Sequence, residues 1–258
     1  MLTGFQNKQY IDAFREDYIE LPSCRGWIKK NGTNFFPFFC PRIFNASTLL
    51  TELDYLDIKL DIDIDPLVLS QRTINFFNYD DSVVFKATKT CYINDLETPL
   101  KIDHAHWDHT RNFARNNGQV SNVILYNTVN RTDWGKIFYE HYIAKHSRID
   151  FTENTFIGWI NTPGVVLFSA EIDNKIVGLM SFYRVNDNVY YHLSIVNDFQ
   201  HGISCAMAYA AISYFKQLGF KHLIWGSDNE FLKSPNELAE WKKGFSTTEL
   251  PVYNLKTV

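Results

Sequence analysis

Apolar residues recur at helical spacing near the start of the chain. Tyr10, Ile11, Phe14 and Tyr18 predict a helix over residues 8–20. The segment WIKKNGTNFFPFF reads as a hairpin, because Asn31-Gly32 tolerates the positive φ of a tight turn. Ser47 is placed to cap a short helix running to Tyr55. LDIKLDIDID, residues 56–65, alternates strictly, which predicts a half-buried strand with one wet face. Its acidic side chains suit a solvated strand face better than a metal site. Asp65-Pro66 opens another short helix, and SVVFKATKTCYINDL supplies one or two strands.

The pattern changes near Thr98-Pro99. Residues 104–117 form a polar helix stopped by Gly118, and VSNVILYN follows as a strand. Residues 132–147 form a helix with Trp134, Ile137, Phe138 and Tyr142 on one face. Three apolar strands come next, separated by turns at Asp173-Asn174 and Asn186-Asp187-Asn188. A helix after Gly202, the strand HLIWGSD, a loop with Pro235, a short helix through Lys243 and a strand near Val252 complete the chain. The second half thus reads β-α-β-β-β-α-β-α-β, and the first half is a looser version of a similar mix. The expected fold class is α/β (α+β), in two parts: residues 1–98, and residues 99–258 including the linking helix 104–117.

Composition narrows the function. The 258 residues carry a net charge of -4 and no Lys/Arg run, which disfavours nucleic acid as the main partner. No apolar run approaches a membrane span, and the N-terminus has no signal pattern. Cys24, Cys40, Cys91 and Cys205 are widely spaced and read as reduced, core-packed cysteines of a cytoplasmic protein. Aromatic residues make up 16% of the chain, more than a core alone needs, so some should line a pocket or an interface.

The chemistry concentrates at Tyr190–Phe220. There a strand, a polar turn with one glycine and an amphipathic helix follow one another. The first N–H groups of such a helix lack intrahelical partners, and with the helix dipole they favour a phosphate or pyrophosphate. An ordinary strand-to-helix turn would look the same. Asp103-His104-Ala105-His106-Trp107-Asp108-His109 brings His and Asp together, but no standard zinc spacing is present, and a polar connecting helix is the better reading.

Three segments together resemble the Fem-like branch of the GNAT acyltransferase superfamily. They are TKTCYINDLETPLKIDHAHWDHTRNFARNNGQV, VVLFSAEIDNKIVGLMSFYRVNDNVYYHLSIV with its turn at Asp173–Gly178, and AMAYAAISYFKQLGFKHLIWGSDN followed by ELAEWKKGFS. The likeness runs from about Thr88 to the end. It implies a GNAT-like mixed, twisted sheet flanked by helices, with a divergent GNAT-like N-terminal half. It also implies an N-acyltransferase that uses acyl-coenzyme A as co-substrate and no metal. The acyl-CoA loop would be Gln200, His201, Gly202, Ile203 and Ser204, with Ile195 and Val196 at the strand end before it. Two features depart from the family pattern. Gln200 stands one residue late and Ser204 replaces a small residue. The family's acidic Tyr would fall on Glu240.

N-acyl transfer needs an aligned amine, a proton acceptor and a stabilised oxyanion. A bulged strand beside the thioester would supply an N–H to the oxyanion, and Tyr190–Val196 is that strand. By alternation His192 and Ser194 face one side, with His192 a candidate base; a strand histidine also simply packs. Asp228 follows an apolar strand and either accepts a proton or forms a turn. Ser194 completes the catalytic set, and His106, Tyr190, Trp225 and Lys242 are the substrate-binding candidates. Lys242 matches the Fem-like lysine in position, although a lone helix Lys usually lies on a solvated face. The favoured acceptor is a nucleotide-linked amino sugar of cell-surface polysaccharide synthesis, and a homodimer is compatible with the sequence. The alternatives are an aminoacyl-tRNA-dependent Fem-type peptidoglycan ligase and a non-catalytic degenerate GNAT binding protein. Against the ligase, the chain lacks a helical tRNA-binding arm and is not basic.

Overall fold

The computed structural model describes residues 18–21, 26–29, 45–67, 69–146, 151–196, 202–227 and 235–258. The expected hairpin turn at Asn31-Gly32 and residues 8–17 of the expected first helix lie outside them. The chain divides into two compact units, Met1–Cys91 with Leu250–Val258, and Tyr92–Glu249.

In the first unit, β1 (Tyr18–Leu21) pairs antiparallel with β2 (Gly26–Lys29), so residues 18–20 are strand and not the end of a helix. The helix α1 (Ala46–Tyr55) is capped by Asn45, whose side chain accepts from the Thr48 amide. Ser47, the expected cap, donates to Asn45 Oδ1 from within the first turn instead. The alternating segment forms strand β3 only over Asp61–Ile64. Leu60 and Ile64 are buried. Asp63 pairs with Lys89 at 2.9 Å, and Asp61 with Lys256 at 3.2 Å. No helix starts at Asp65-Pro66; the helix begins at Gln71, capped by Ser70, as α2 (Gln71–Asn78). The strands β4 (Val83–Asp95) and β10 (Thr248–Thr257) complete the order β3-β10-β4. Leu49, Leu53, Leu60, Ile64, Phe77 and Leu255 form the core of this unit.

The second unit takes up β4 at Tyr92 and orders its strands β4-β9-β8-β7-β6-β5. These are β5 (Gln119–Val123), β6 (Val165–Ile172), β7 (Lys175–Val185), β8 (Asn188–Val196) and β9 (His222–Ser227). The run β5 to β8 is antiparallel, and β8 to β9 is parallel. The hairpin turns fall where expected. Asp173, Asn174 and Asn186 take φ of 51, 61 and 54°, a region that Asn and Asp enter more readily than most residues.

The helices of this unit are α3 (His104–Arg115), α4 (Thr128–Lys145), α5 (Glu153–Asn161), α6 (Ile203–Gln217) and α7 (Pro235–Phe245). Asn127 caps α4, which starts at Thr128, ahead of the expected Thr132. The pattern of apolar positions gave no sign of α5. Alternate residues of β7 face two layers. Met180 and Phe182 pack with Met207, Ala211 and Phe215 of α6. On the other face Phe138 and Tyr142 of α4 meet Phe156 of α5. Small residues bring α6 onto the sheet: a Cβ on Gly178 would lie 2.8 Å from Ile203 and 2.9 Å from Met207. Each large side chain buried this way contributes about 1.5–3 kcal/mol. Among the described residues no helix is long and apolar enough to cross a membrane.

Candidate active site

The parallel pairing of β8 with β9 runs Asn188↔His222, Val189↔Leu223 and Tyr190↔Ile224. There it ends, although β8 continues to Val196 and β9 to Ser227. The two strands therefore part at their C-terminal ends, where an α/β layer opens its usual cleft.

One residue past that point the register with β7 shifts. Ser181 pairs with Leu193 and Phe182 with Tyr191, so His192 is the extra residue of a β-bulge. The bulge corrects the expected faces of β8. His192 and Ser194 do not share a side. His192 Nδ1 lies 3.1 Å from Ser181 Oγ, and its ring stands perpendicular to Trp159 of α5 at 4.6 Å. Ser194 Oγ instead meets the Tyr191 hydroxyl at 2.9 Å, beside Trp225 and Trp241. Burial pushes the His192 imidazole down to about 3, so it is neutral at physiological pH. Burial also raises the Tyr191 phenol, an effect that the Ser194 hydrogen bonds only partly oppose.

Gln200 and His201 lie outside the described residues. Gly202 caps α6 in the left-handed region at φ 68° and brings no side chain to the first-turn N–H groups of Ile203, Ser204 and Cys205. A Cβ at Gly202 would lie 2.2 Å from the His109 carbonyl oxygen of α3. Glycine is thus required here by the backbone itself. Ile195 and Val196 are buried at the end of β8, and Lys145 Nζ donates to the Val196 carbonyl at 2.9 Å. Cys205 is buried, and burial pushes its thiol up to about 11, with the Trp241 and Ser204 hydrogen bonds opposing. That makes it an inert core thiol. Cys91 is likewise free and buried, while Cys24 and Cys40 lie outside the described residues.

The other candidates are placed as follows. His106 Nδ1 holds Asp103 Oδ1 at 2.6 Å, and its ring stands edge-on to Phe245 at 4.6 Å. Burial would raise the Asp103 carboxyl, but the His106 amide and ring and the Ala105 amide outweigh it and hold it below the usual range. Tyr190 and Trp225 are buried. Lys242 is only 5% exposed, not on a solvated face, and its Nζ donates to the Ser227 carbonyl at the end of β9. Asp228, next in sequence, lies outside the described residues. Sequence reasoning passed over Ser181, Tyr191 and Trp241.

No family model and no curated protein matches this chain. Solved structures do. The C-terminal DUF2156 domain of a protein assigned as a lysylphosphatidylglycerol synthetase, from Agrobacterium fabrum, superposes with a TM-score of 0.70 at 11% identity. It covers 96% of this chain and 86% of that one. L-PGS from Bacillus licheniformis follows at 0.61 and 13% identity, covering 98% and 92%. FemX gives 0.60 and 12% identity, covering 93% and 83%. The fold is GNAT-like. Within that fold, the splay of β8 and β9 and the bulge at His192 bring the candidate residues of β8 and β9 together.

Proposed function

We propose that the second unit transfers an acyl group from an activated carrier to an amine, with acyl-coenzyme A as the favoured donor. The observation that supports this is a coincidence at one point of β8: pairing with β9 ends after Tyr190, and the bulge falls at His192. The parted strands form a slot for the acyl arm. The bulge re-aims the backbone of Tyr191–Leu193 toward it, as oxyanion stabilisation requires. The first turn of α6 from Gly202 through Ile203 and Ser204, preceded by Gln200 and His201, meets the donor's pyrophosphate. Ile195 and Val196 form the floor before that turn.

A base with its pKa near 3 is poorly matched to an amine proton at neutral pH. In this reading His192 shapes the slot and Asp228 accepts the proton, while Ser194, Trp225 and Lys242 line it. His106 and Tyr190 hold the surrounding frame. The acceptor is a nucleotide-linked amino sugar, for which an aromatic lining and a net charge of -4 are better suited than a nucleic acid.

A second reading, transfer from an aminoacyl-tRNA as in Fem-type ligases, has its own support. The likeness to FemX and L-PGS covers 93% and 98% of this chain, and so runs through both units. A transfer assay separates the two. The chain is incubated with acetyl-CoA and a nucleotide-linked amino sugar, and free thiol is followed with a thiol reagent. Amine-dependent thiol release supports the first reading. A parallel incubation with tRNA charged with a labelled amino acid follows the loss of label from the tRNA: amine-dependent loss there without thiol release from acetyl-CoA supports the second, and turnover of neither donor contradicts both.

A further inference from the structure

The loop between β5 and α4 presents its apolar side chains to solvent. Ile124 is 76% exposed, and Tyr126 and Val129 are each 71% exposed. Single exposed apolar residues are ordinary, but three in the stretch Ile124–Val129 form a patch, and patches mark interaction surfaces. The loop is held in that shape. Asn127 Oδ1 accepts from the Asn130 amide at 2.9 Å. Arg131 donates to the Leu125 carbonyl at 3.2 Å and to the Ile160 carbonyl of α5 at 2.7 Å.

The charge beside the loop is of one sign. Burial first, and Arg184 of β7 second, hold the Arg131 guanidinium below its ordinary range, and it stays a cation. Neither arginine pairs with a carboxylate among the described residues. Asp187, on the turn after β7, is taken by Lys221 at 3.1 Å. Asp133 stands two positions from Arg131 on α4, a spacing at which helical side chains do not face each other.

Aliphatic side chains gain by leaving water for hydrocarbon, a tyrosine suits the headgroup level, and arginines attract anionic headgroups. A nucleic-acid backbone would meet the arginines and leave Ile124 and Val129 in water. A second copy packed two-fold on the same patch would set Arg131 and Arg184 against their own counterparts. We propose that the loop Ile124–Val129, with Arg131 and Arg184 beside it, seats the protein on the surface of an anionic lipid bilayer. The contact is made by side chains at the interface and not by a spanning helix. It uses no residue of the candidate active site, and it stands apart from the acyl-transfer reading.

The test is co-sedimentation of the full chain with vesicles of phosphatidylcholine alone, or of phosphatidylglycerol and phosphatidylcholine in equal parts. A chain of net charge -4 has no general attraction for an anionic surface, so binding reports a local patch. Sedimentation is expected with the phosphatidylglycerol vesicles, weakened by salt. Ile124→Ser, Tyr126→Ser and Val129→Ser together should lower vesicle affinity about tenfold or more, and Arg184→Gln about fivefold, with melting temperatures unchanged. Should the triple variant fail to fold, Tyr126→Ser alone and Arg184→Gln carry the test. No sedimentation at low salt, equal binding to both vesicles, or binding unmoved by these changes overturns the proposal. Retention of bulk tRNA in place of vesicles, or a dimer in light scattering that the triple variant dissolves, overturns it in favour of one of the other two occupants.

Discussion

Tyr191 Oη and Ser194 Oγ lie 2.9 Å apart, although they stand at positions i and i+3 of one strand. In a regular strand such positions point to opposite faces. The bulge at His192 puts them on the same side. Tyr191→Phe and Ser194→Ala should each lower stability by about 1 kcal/mol, because the remaining hydroxyl loses its partner. The double variant should cost less than the sum. Denaturant unfolding of the four proteins in a double-mutant cycle checks this, and strict additivity would show that the two hydroxyls are not coupled.

His192 gives a pH dependence of known sign. Its folded value is near 3 against an ordinary 6.5, so between those values the unfolded chain binds the proton more readily. Stability is intact above about pH 6.5 and declines as pH falls toward 3, by at most about 1.4 kcal/mol per pH unit from this group. Partial exposure of the residue makes the slope shallower. His192→Gln should flatten the curve of melting temperature against pH between about 6.5 and 4. A curve of unchanged shape would mean that His192 is not held neutral by its surroundings.

Two glycines at the ends of α6 separate backbone strain from steric clash. Gly202 and Gly219 both have positive φ, 68 and 79°. A Cβ at Gly219 meets nothing within 4 Å, whereas one at Gly202 meets the His109 carbonyl. Gly219→Ala should cost about 1 kcal/mol, the left-handed penalty alone. Gly202→Ala should cost well over twice that, with or without ligand, since α3 must shift. Equal losses in chemical denaturation would contradict the packing described for α3 and α6. A bulky residue at Gly202 therefore tests the fold before it tests pyrophosphate binding.

Lys242 and Lys243 are neighbours with opposite expectations. Lys242 is buried and donates to the Ser227 carbonyl, while Lys243 is exposed and reaches Glu249 only at 3.8 Å. Lys242→Met should destabilise by about 1–3 kcal/mol by leaving the carbonyl unpaired. Lys243→Met should stay within about 0.5 kcal/mol. Thermal unfolding of the two variants side by side decides it.

The sequence exposes some of this architecture and hides the rest for physical reasons. The strands β6 to β8 are legible because Asp173, Asn174 and Asn186 mark the turns where the chain reverses. The helix α6 is legible because its apolar face is continuous. The helix α5 is not, since its capping box uses Thr155 where Glu or Gln would be the usual signal, and it is only 9 residues long. The face of Ser194 is hidden because a bulge adds a residue without leaving a mark in the pattern; only pairing with β7 reveals it. Lys242 reads as a surface residue because helical spacing says nothing of how α7 meets the end of β9. The turn at Gly202 is legible as a turn, yet its glycine answers first to the His109 carbonyl.

Binding of an acylated carrier is the central claim, and the shift of melting temperature with acetyl-CoA tests it most directly. A ligand bound by the folded chain alone stabilises it by about 2.7 kcal/mol at a hundredfold excess over Kd. A saturable rise is expected with acetyl-CoA, or, if the carrier is a tRNA, with aminoacyl-tRNA in its place. No rise with acetyl-CoA, free CoA or aminoacyl-tRNA, each taken as high as it dissolves, would contradict it.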